Sequence, residues 1–197
     1  TGDARLREKA EGIVKTRESV SADKIYQARR IAFEMIHVPQ TSVFILDGDI
    51  SYMMGHAEPK VNPLSGELMT GSDLDIILIH DNESAEAINR LGAQMFFGQD
   101  MLPPHEKVEV DYDVISLAEL GSLNLSKAAD LKMAKNILNS IYLRGNNNVY
   151  EKAAGILQRA GFKQAVEALT AQAQEIRSQE ELRLSIKPVE RWNQQDF

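Results

Sequence analysis

The strongest constraint on this chain is that two of its most apolar stretches carry aspartates at alternate positions. Asp73-Leu74-Asp75 leads into Ile76-Ile77-Leu78-Ile79, and Lys107-Val108-Glu109-Val110-Asp111-Tyr112-Asp113-Val114 alternates almost throughout before Ile115. Branched and aromatic residues in such runs predict strands. Strand side chains alternate between faces, so Asp73 shares a face with Asp75, and Asp111 with Asp113. If the two strands are neighbours, three or four carboxylates converge on one edge of a small sheet. Charges held that close raise one another's pKa unless cations neutralise them. Hard divalent cations with oxygen ligands, Mg²⁺ or Mn²⁺, are the natural neutralisers. One Asp-x-Asp alone reads as a solvated strand edge; two on successive strands, after a glycine-containing turn, point to a metal-dependent site.

The rest of the chain arranges helices around this core. Arg5–Arg17 reads as a charged helix with few apolar anchors. A second helix is predicted from a cap at Ser21 or Asp23 to about Ile36, with Ile25, Ala28, Ile31, Ala32 and Met35 on one buried face. Val43-Phe44-Ile45-Leu46 is a short strand running into Asp47-Gly48-Asp49, and His56 to Gly71 reads as a long loop. A helix is predicted over Ser84 to Phe97. From Ser126 onward the pattern is helical, near Lys127–Leu143, Val149–Ala160 and Phe162–Arg177, with an irregular tail from Lys187. The expectation is an α+β fold: a small mixed-sheet core over residues 41–122, N-terminal helices over 1–40 packing on it, and a C-terminal helical region over 123–197.

Composition narrows the function classes. The net charge of −7 disfavours non-specific nucleic-acid binding, which needs clustered cations. The absence of cysteine excludes disulfides, thiolate metal sites and a cysteine nucleophile, and fits a cytoplasmic protein. No apolar run approaches membrane-spanning length, so no membrane partner is expected. His37, His56, His80 and His105 lack metal-ligand spacing. Lys60, Lys107, Lys127, Lys132 and Lys135 are candidates to neutralise phosphates, although any single one reads as a solvated lysine. Tyr52, Met53 and Met54 read as packing residues, and Trp192 as a docking anchor. A chain that starts at Thr1 reads as trimmed, or as a piece of something longer.

The ordered elements resemble the nucleotidyltransferase superfamily that includes DNA polymerase β, over about residues 43–120. In that family a first strand ends in Gly-Ser at a helix start, an Asp-x-Asp opens the second strand, and a third acidic residue sits on a later strand. Val43-Phe44-Ile45-Leu46-Asp47-Gly48-Asp49 stands in the first place and Ser72-Asp73-Leu74-Asp75 in the second. Tyr112-Asp113-Val114-Ile115 with its trailing Ser116-Leu117-Ala118-Glu119-Leu120 stands in the third. The resemblance implies transfer of a nucleoside monophosphate from a nucleoside triphosphate to a hydroxyl acceptor, with release of pyrophosphate and two Mg²⁺ or Mn²⁺ ions.

It also implies roles. Asp73 and Asp75 would hold both ions, and Asp113 would complete the second site and favour loss of the acceptor's proton. Asp111 is the alternative third ligand, because it shares the parity of Asp113. Gly48 would be the turn and Asp49 the residue beside the triphosphate, where the family has serine. The stretch between Gly48 and Asp73 is longer than the family's and reads as an insertion. The acceptor is open between a small molecule, a protein and an RNA. Two rivals stand beside this reading: a non-catalytic module of the same fold, which Asp49 in place of serine would suit, and a metal-dependent glycosyltransferase. In the latter the acidic pair follows an apolar strand, whereas here it precedes one.

Overall fold

A computed structural model describes residues 2–34, 38–55, 60–61, 68–69, 72–98, 110–172 and 175. In chain order these form α1 (Gly2–Glu34), β1 (Ser42–Asp47), α2 (Gly48–Ser51), β2 (Lys60–Val61), β3 (Leu68–Met69), β4 (Leu74–His80) and α3 (Ala85–Gly98). Then follow β5 (Val110–Ser116), α4 (Leu117–Gly121), α5 (Ala128–Leu138), β6 (Ile141–Gly145), α6 (Asn147–Arg159) and α7 over 162–172. The fold is α+β, built on a four-stranded mixed sheet of order β5-β4-β1-β6. Strand β1 runs antiparallel to β4 and β6, while β4 and β5 are parallel. Strands β2 and β3 form a separate antiparallel pair. They lie in the predicted long loop, most of which is outside the described residues.

The two central strands are apolar on both faces because helices cover both faces. Every residue of β1 is buried, and β4 is buried except at Asp75. Phe44, Leu46, Leu74, Ile76 and Leu78 point to one side, against Ala28, Ile31 and Ala32 of α1 and Leu91 of α3. Val43, Ile45, Ile77, Ile79 and Ile115 point to the other. There they meet Leu117 and Leu120 of α4, Ala134 and Ile137 of α5, Ala153 and Leu157 of α6, and Phe162 of α7. Among the described residues no helix is long and apolar enough to cross a membrane.

Three expectations change. The two N-terminal helices are one 33-residue helix, α1. The Ser19-Val20-Ser21 stretch read as a break, but the Ser21 hydroxyl is buried and accepts the Gly55 N–H at 2.9 Å, so it serves a tertiary contact rather than a cap. The predicted end at Ile36 lies outside the described residues. Second, the helix predicted over Lys127–Leu143 stops at Leu138, and Ile141–Gly145 is a strand. Third, β6 pairs with β1, so the sheet has a fourth strand and the region 123–197 is not helical throughout.

Local bonds hold β6 in place. The Arg144 guanidinium donates to the Ala32 carbonyl of α1 at 2.9 Å, and the Asn146 N–H donates to the Ser42 carbonyl at 2.8 Å. Asn146 then caps α6 by accepting the Asn148 N–H. Gly145 makes the corner: its φ is +127°, and a Cβ there would sit 2.4 Å from the Ser42 carbonyl oxygen. Gly145→Ala therefore combines backbone strain of about 1–3 kcal/mol with a clash against fixed backbone. A fall in the melting midpoint of about 2–4 °C for each kcal/mol lost is expected in a chain of this size. An unchanged midpoint by calorimetry would remove β6 from the stabilising sheet.

Candidate metal centre

The carboxylates gather at the end of the sheet where β1 finishes and β4 and β5 begin. Asp47 of β1 pairs across the ladder with Asp75 of β4, and Asp75 pairs in turn with Asp111 of β5. Paired residues project to the same face, so the three form a row across adjacent strands. That face is the one packed by α4, α5 and α6. Toward this end of the sheet, aspartates replace the isoleucines and valine that fill the rest of it.

Asp73, just before β4, joins the row. Single oxygens of Asp73, Asp75 and Asp111 lie within 4.8 Å of one another. Three ionised carboxylates at that spacing repel by roughly 3–4 kcal/mol per pair at an effective dielectric near 20. Asp113 sits one pleat further along β5, opposite Ile77, and lines the same cleft without belonging to the cluster of three. Of the two candidates for third ligand, then, Asp111 lies beside Asp75. Asp113 faces the cavity further along the strand.

The cleft holds about 440 Å³, within the range of small-molecule sites. Its sheet side carries Asp47, Asp75, Asp111 and Asp113, and its opposite wall is α5, which contributes Ala129, Lys132, Met133 and Asn136. The ends of both walls are fixed by short-range bonds. After β5, Ser116 and Glu119 form a reciprocal cap on α4: the Ser116 hydroxyl accepts the Glu119 N–H at 3.1 Å, and the Glu119 carboxylate accepts the Ser116 N–H at 2.7 Å. That network holds the Glu119 carboxyl below its usual range. On the other wall, Asn139 donates to the Tyr52 hydroxyl at 2.9 Å, and the Lys135 ammonium stands 5.1 Å from the Tyr52 ring centre. Tyr52 thereby ties the segment after α2 to α5, as a packing residue would.

Gly48 follows Asp47 at a φ of +73°, a region L-residues rarely occupy. Its missing Cβ matters more. A Cβ built there would lie 1.9 Å from Oδ2 of Asp75, so the Asp75 carboxylate rests directly over the Gly48 backbone. Gly48 is thus a turn that also leaves room for a charged side chain. Asp49 is exposed on α2, a helix of only four residues, and is not among the residues lining the cleft.

Electrostatics follow from this packing. Burial pushes the Asp75 carboxyl up to about 6, and Asp73, Asp47, Asp111 and Asp49 push it in the same direction. Asp47 is also raised, chiefly by burial. A hydrogen bond from the Gly48 backbone and the charges of Lys135 and Lys132 oppose that rise, and Asp113 adds to it.

Asp47 is the site residue that the sequence reading passed over. It is 3% exposed, and its Oδ1 has no hydrogen-bond partner. The available signal was parity: Asp47 ends an apolar strand and shares a face with Val43 and Ile45.

The other candidates scatter. Lys132 lines the cleft, Lys127 is exposed, Lys60 lies on β2, and Lys107 is outside the described residues. His80 is buried and its Nδ1 accepts the Glu83 N–H at 3.1 Å, a structural role. His37, His56, His105 and Trp192 lie outside the described residues. No family model, no curated protein and no solved structure matches this chain.

Proposed function

We propose that this protein is a metal-dependent nucleotidyltransferase, moving a nucleoside monophosphate from a nucleoside triphosphate to a hydroxyl acceptor. The observation that carries the reading is the row Asp47–Asp75–Asp111, with Asp73 beside it, facing a cleft whose far wall presents Lys132. The order of elements adds support: a glycine turn after the first strand, the aspartate pair opening an antiparallel second strand, and acidic residues on a parallel third strand followed by a short helix.

The donor set suits Mg²⁺ or Mn²⁺, because it is all carboxylate oxygen, and the neighbouring Asp47 adds a buried Oδ1 that lacks a partner. Asp73, Asp75 and Asp111 would hold the cations. Bound there, divalent ions supply positive charge to the attacking and leaving oxygens of an in-line displacement. The chain's own residues do the rest. Lys132 and Lys135 attract the triphosphate, and the walls of the cleft orient it against the acceptor. The acceptor oxygen forms a bond to the α-phosphorus, the bond from that phosphorus to the β-phosphate oxygen breaks, and pyrophosphate leaves. The hydroxyl proton passes to the Asp113 carboxylate, which faces the cleft away from the cluster of three.

The test incubates the protein with each α-labelled nucleoside triphosphate, Mn²⁺ and a cell extract, beside Asp73→Ala/Asp75→Ala. Label on a protein, RNA or small molecule only with the intact pair is the expected result, and it names the acceptor class. A second reading draws on Asp49, a carboxylate where the family has serine, on a helix of a single turn. There the same carboxylates bind a cation in a non-catalytic module. Neither transfer nor metal-dependent nucleotide binding would overturn the enzyme in favour of that module.

A further inference from the structure

We infer that the outer edge of β5 docks the acceptor: an extended peptide segment with basic flanking residues adds there as a fifth strand and presents a serine or threonine hydroxyl to the cleft. The fate of that hydroxyl rests on the transfer reading of the site, whereas the docking edge rests on the sheet itself.

The position of β5 comes first. It ends the sheet order β5-β4-β1-β6, and among the described residues no strand pairs with its outer edge. Asp111, Asp113 and Val114 are exposed along it, Val114 at 37%. An open strand edge takes up an extended chain through main-chain hydrogen bonds. The edge also leads straight into the site. Asp47, Asp75 and Asp111 are successive cross-strand partners, and Asp113 shares the face of Asp111 and lines the cleft. A residue of an added strand set opposite Asp111 or Asp113 continues that row on the same face, about 4.8 Å beyond it. Strand β6, the other end of the sheet, carries no carboxylate.

Charge then selects the occupant. The exposed side chains on the cleft face of β5 are Asp111 and Asp113, while Val110, Tyr112 and Val114 on its other face carry no charge. A second copy of the chain would set one acidic edge against another, and a nucleic-acid backbone would meet the same repulsion. A peptide that alternates lysine or arginine with apolar residues matches both faces: its cations face the aspartates and its apolar side chains cover Val114. Once it is docked, the serine or threonine oxygen forms a bond to the α-phosphorus and the bond from that phosphorus to the β-phosphate oxygen breaks. Pyrophosphate leaves, the hydroxyl proton passes to Asp113, and the nucleoside monophosphate remains on the peptide as a phosphodiester.

The probe is the peptide Lys-Val-Lys-Val-Ser-Val-Lys-Val-Lys, fluorescently labelled and titrated against the full chain in Mn²⁺ without nucleotide. Saturable binding is expected, with slowed amide hydrogen exchange in β5. A strand at an edge turns only every second N–H toward its neighbour, so methylating one alternate set of the peptide's backbone nitrogens is expected to weaken binding at least about tenfold, and methylating the other set to leave it unchanged. Glutamate in place of every lysine is expected to weaken it by at least about the same factor. With an α-labelled nucleoside triphosphate added, label is expected on this peptide and not on one with alanine in place of serine. Equal effects of the two methylation sets, protection confined to elements other than β5, or no binding would overturn the docking edge. Binding at β5 with no transfer to any acceptor leaves the edge and overturns the enzymatic reading. Transfer that bypasses a peptide bound at β5 overturns the acceptor role of the edge.

Discussion

Asp75→Asn is expected to make the metal-free protein more stable while lowering the proposed nucleotide transfer at least about a thousandfold. The two effects have one origin. In the metal-free protein the Asp75 carboxylate is partly buried among Asp73, Asp47 and Asp111, and an amide of the same shape removes that repulsion. The gain appears as a higher melting midpoint, about 2–4 °C for each kcal/mol relieved in a chain of this size. On the proposed function, the same charge would hold the divalent ions that assist the displacement. Losing a carboxylate that serves such ions removes several kcal/mol of transition-state stabilisation, and about 1.4 kcal/mol is a factor of ten in rate. A substitution that stabilises the fold and abolishes the activity separates function from folding. A lower midpoint in the metal-free protein would mean that Asp75 serves the fold, and the repulsion argument would fail.

The parts of this site differ in how far sequence alone reveals them. Strands β1, β4 and β5 are readable because they are buried by helices on both faces or regularly alternating, and aspartates inside such runs stand out against Ile, Val and Leu. Convergence of the acidic pairs follows from parity once the strands are neighbours, and parallel pairing of β4 with β5 puts Asp75 opposite Asp111. The choice between Asp111 and Asp113 needs that register, which side-chain parity alone does not contain. Asp47 needs the register of a third strand: only the antiparallel pairing of β1 with β4 brings it opposite Asp75.

Strand β6 hides for a different reason. Ile141-Tyr142-Leu143 continues the apolar spacing of the helix before it, so the local pattern favours one longer helix. The helix actually ends at Leu138 with Asn139 as its C-cap, and the Ser140 hydroxyl donates to the Ile137 carbonyl at 2.7 Å. The open edge of β1 then takes up the next residues as a strand, a tertiary demand that overrides helical periodicity. Ser21 shows the same competition in reverse. A serine that looks like a helix cap lies inside a continuous helix because Gly55 needs its oxygen.

Acidity should couple stability and metal binding through the same carboxylate. In the folded, metal-free protein Asp75 titrates at about 6, raised from 3.8 by burial and by its acidic neighbours. Between those values the folded chain holds a proton that the unfolded chain has released, so the unfolded state binds fewer protons. The contribution of Asp75 to stability therefore falls as pH rises from about 4 to 6, and levels off above. Asp47, also raised, acts in the same sense, while Glu119, lowered by its Ser116 bonds, acts oppositely. The clean quantity is the difference between wild type and Asp75→Asn, which cancels the other groups. The melting advantage of the variant without metal is expected to be small at pH 4 and to grow to its full value by about pH 7. Mn²⁺ is expected to reverse the comparison. Ligand that binds only the folded state adds about 2.7 kcal/mol at a hundred times its dissociation constant, so wild type gains several degrees at pH 7.5. At pH 5 protons compete for the Asp75 oxygens and most of that gain disappears. Asp75→Asn shows little gain at either pH. A wild-type gain of equal size at pH 5 and pH 7.5 would mean that the cation binds away from Asp75.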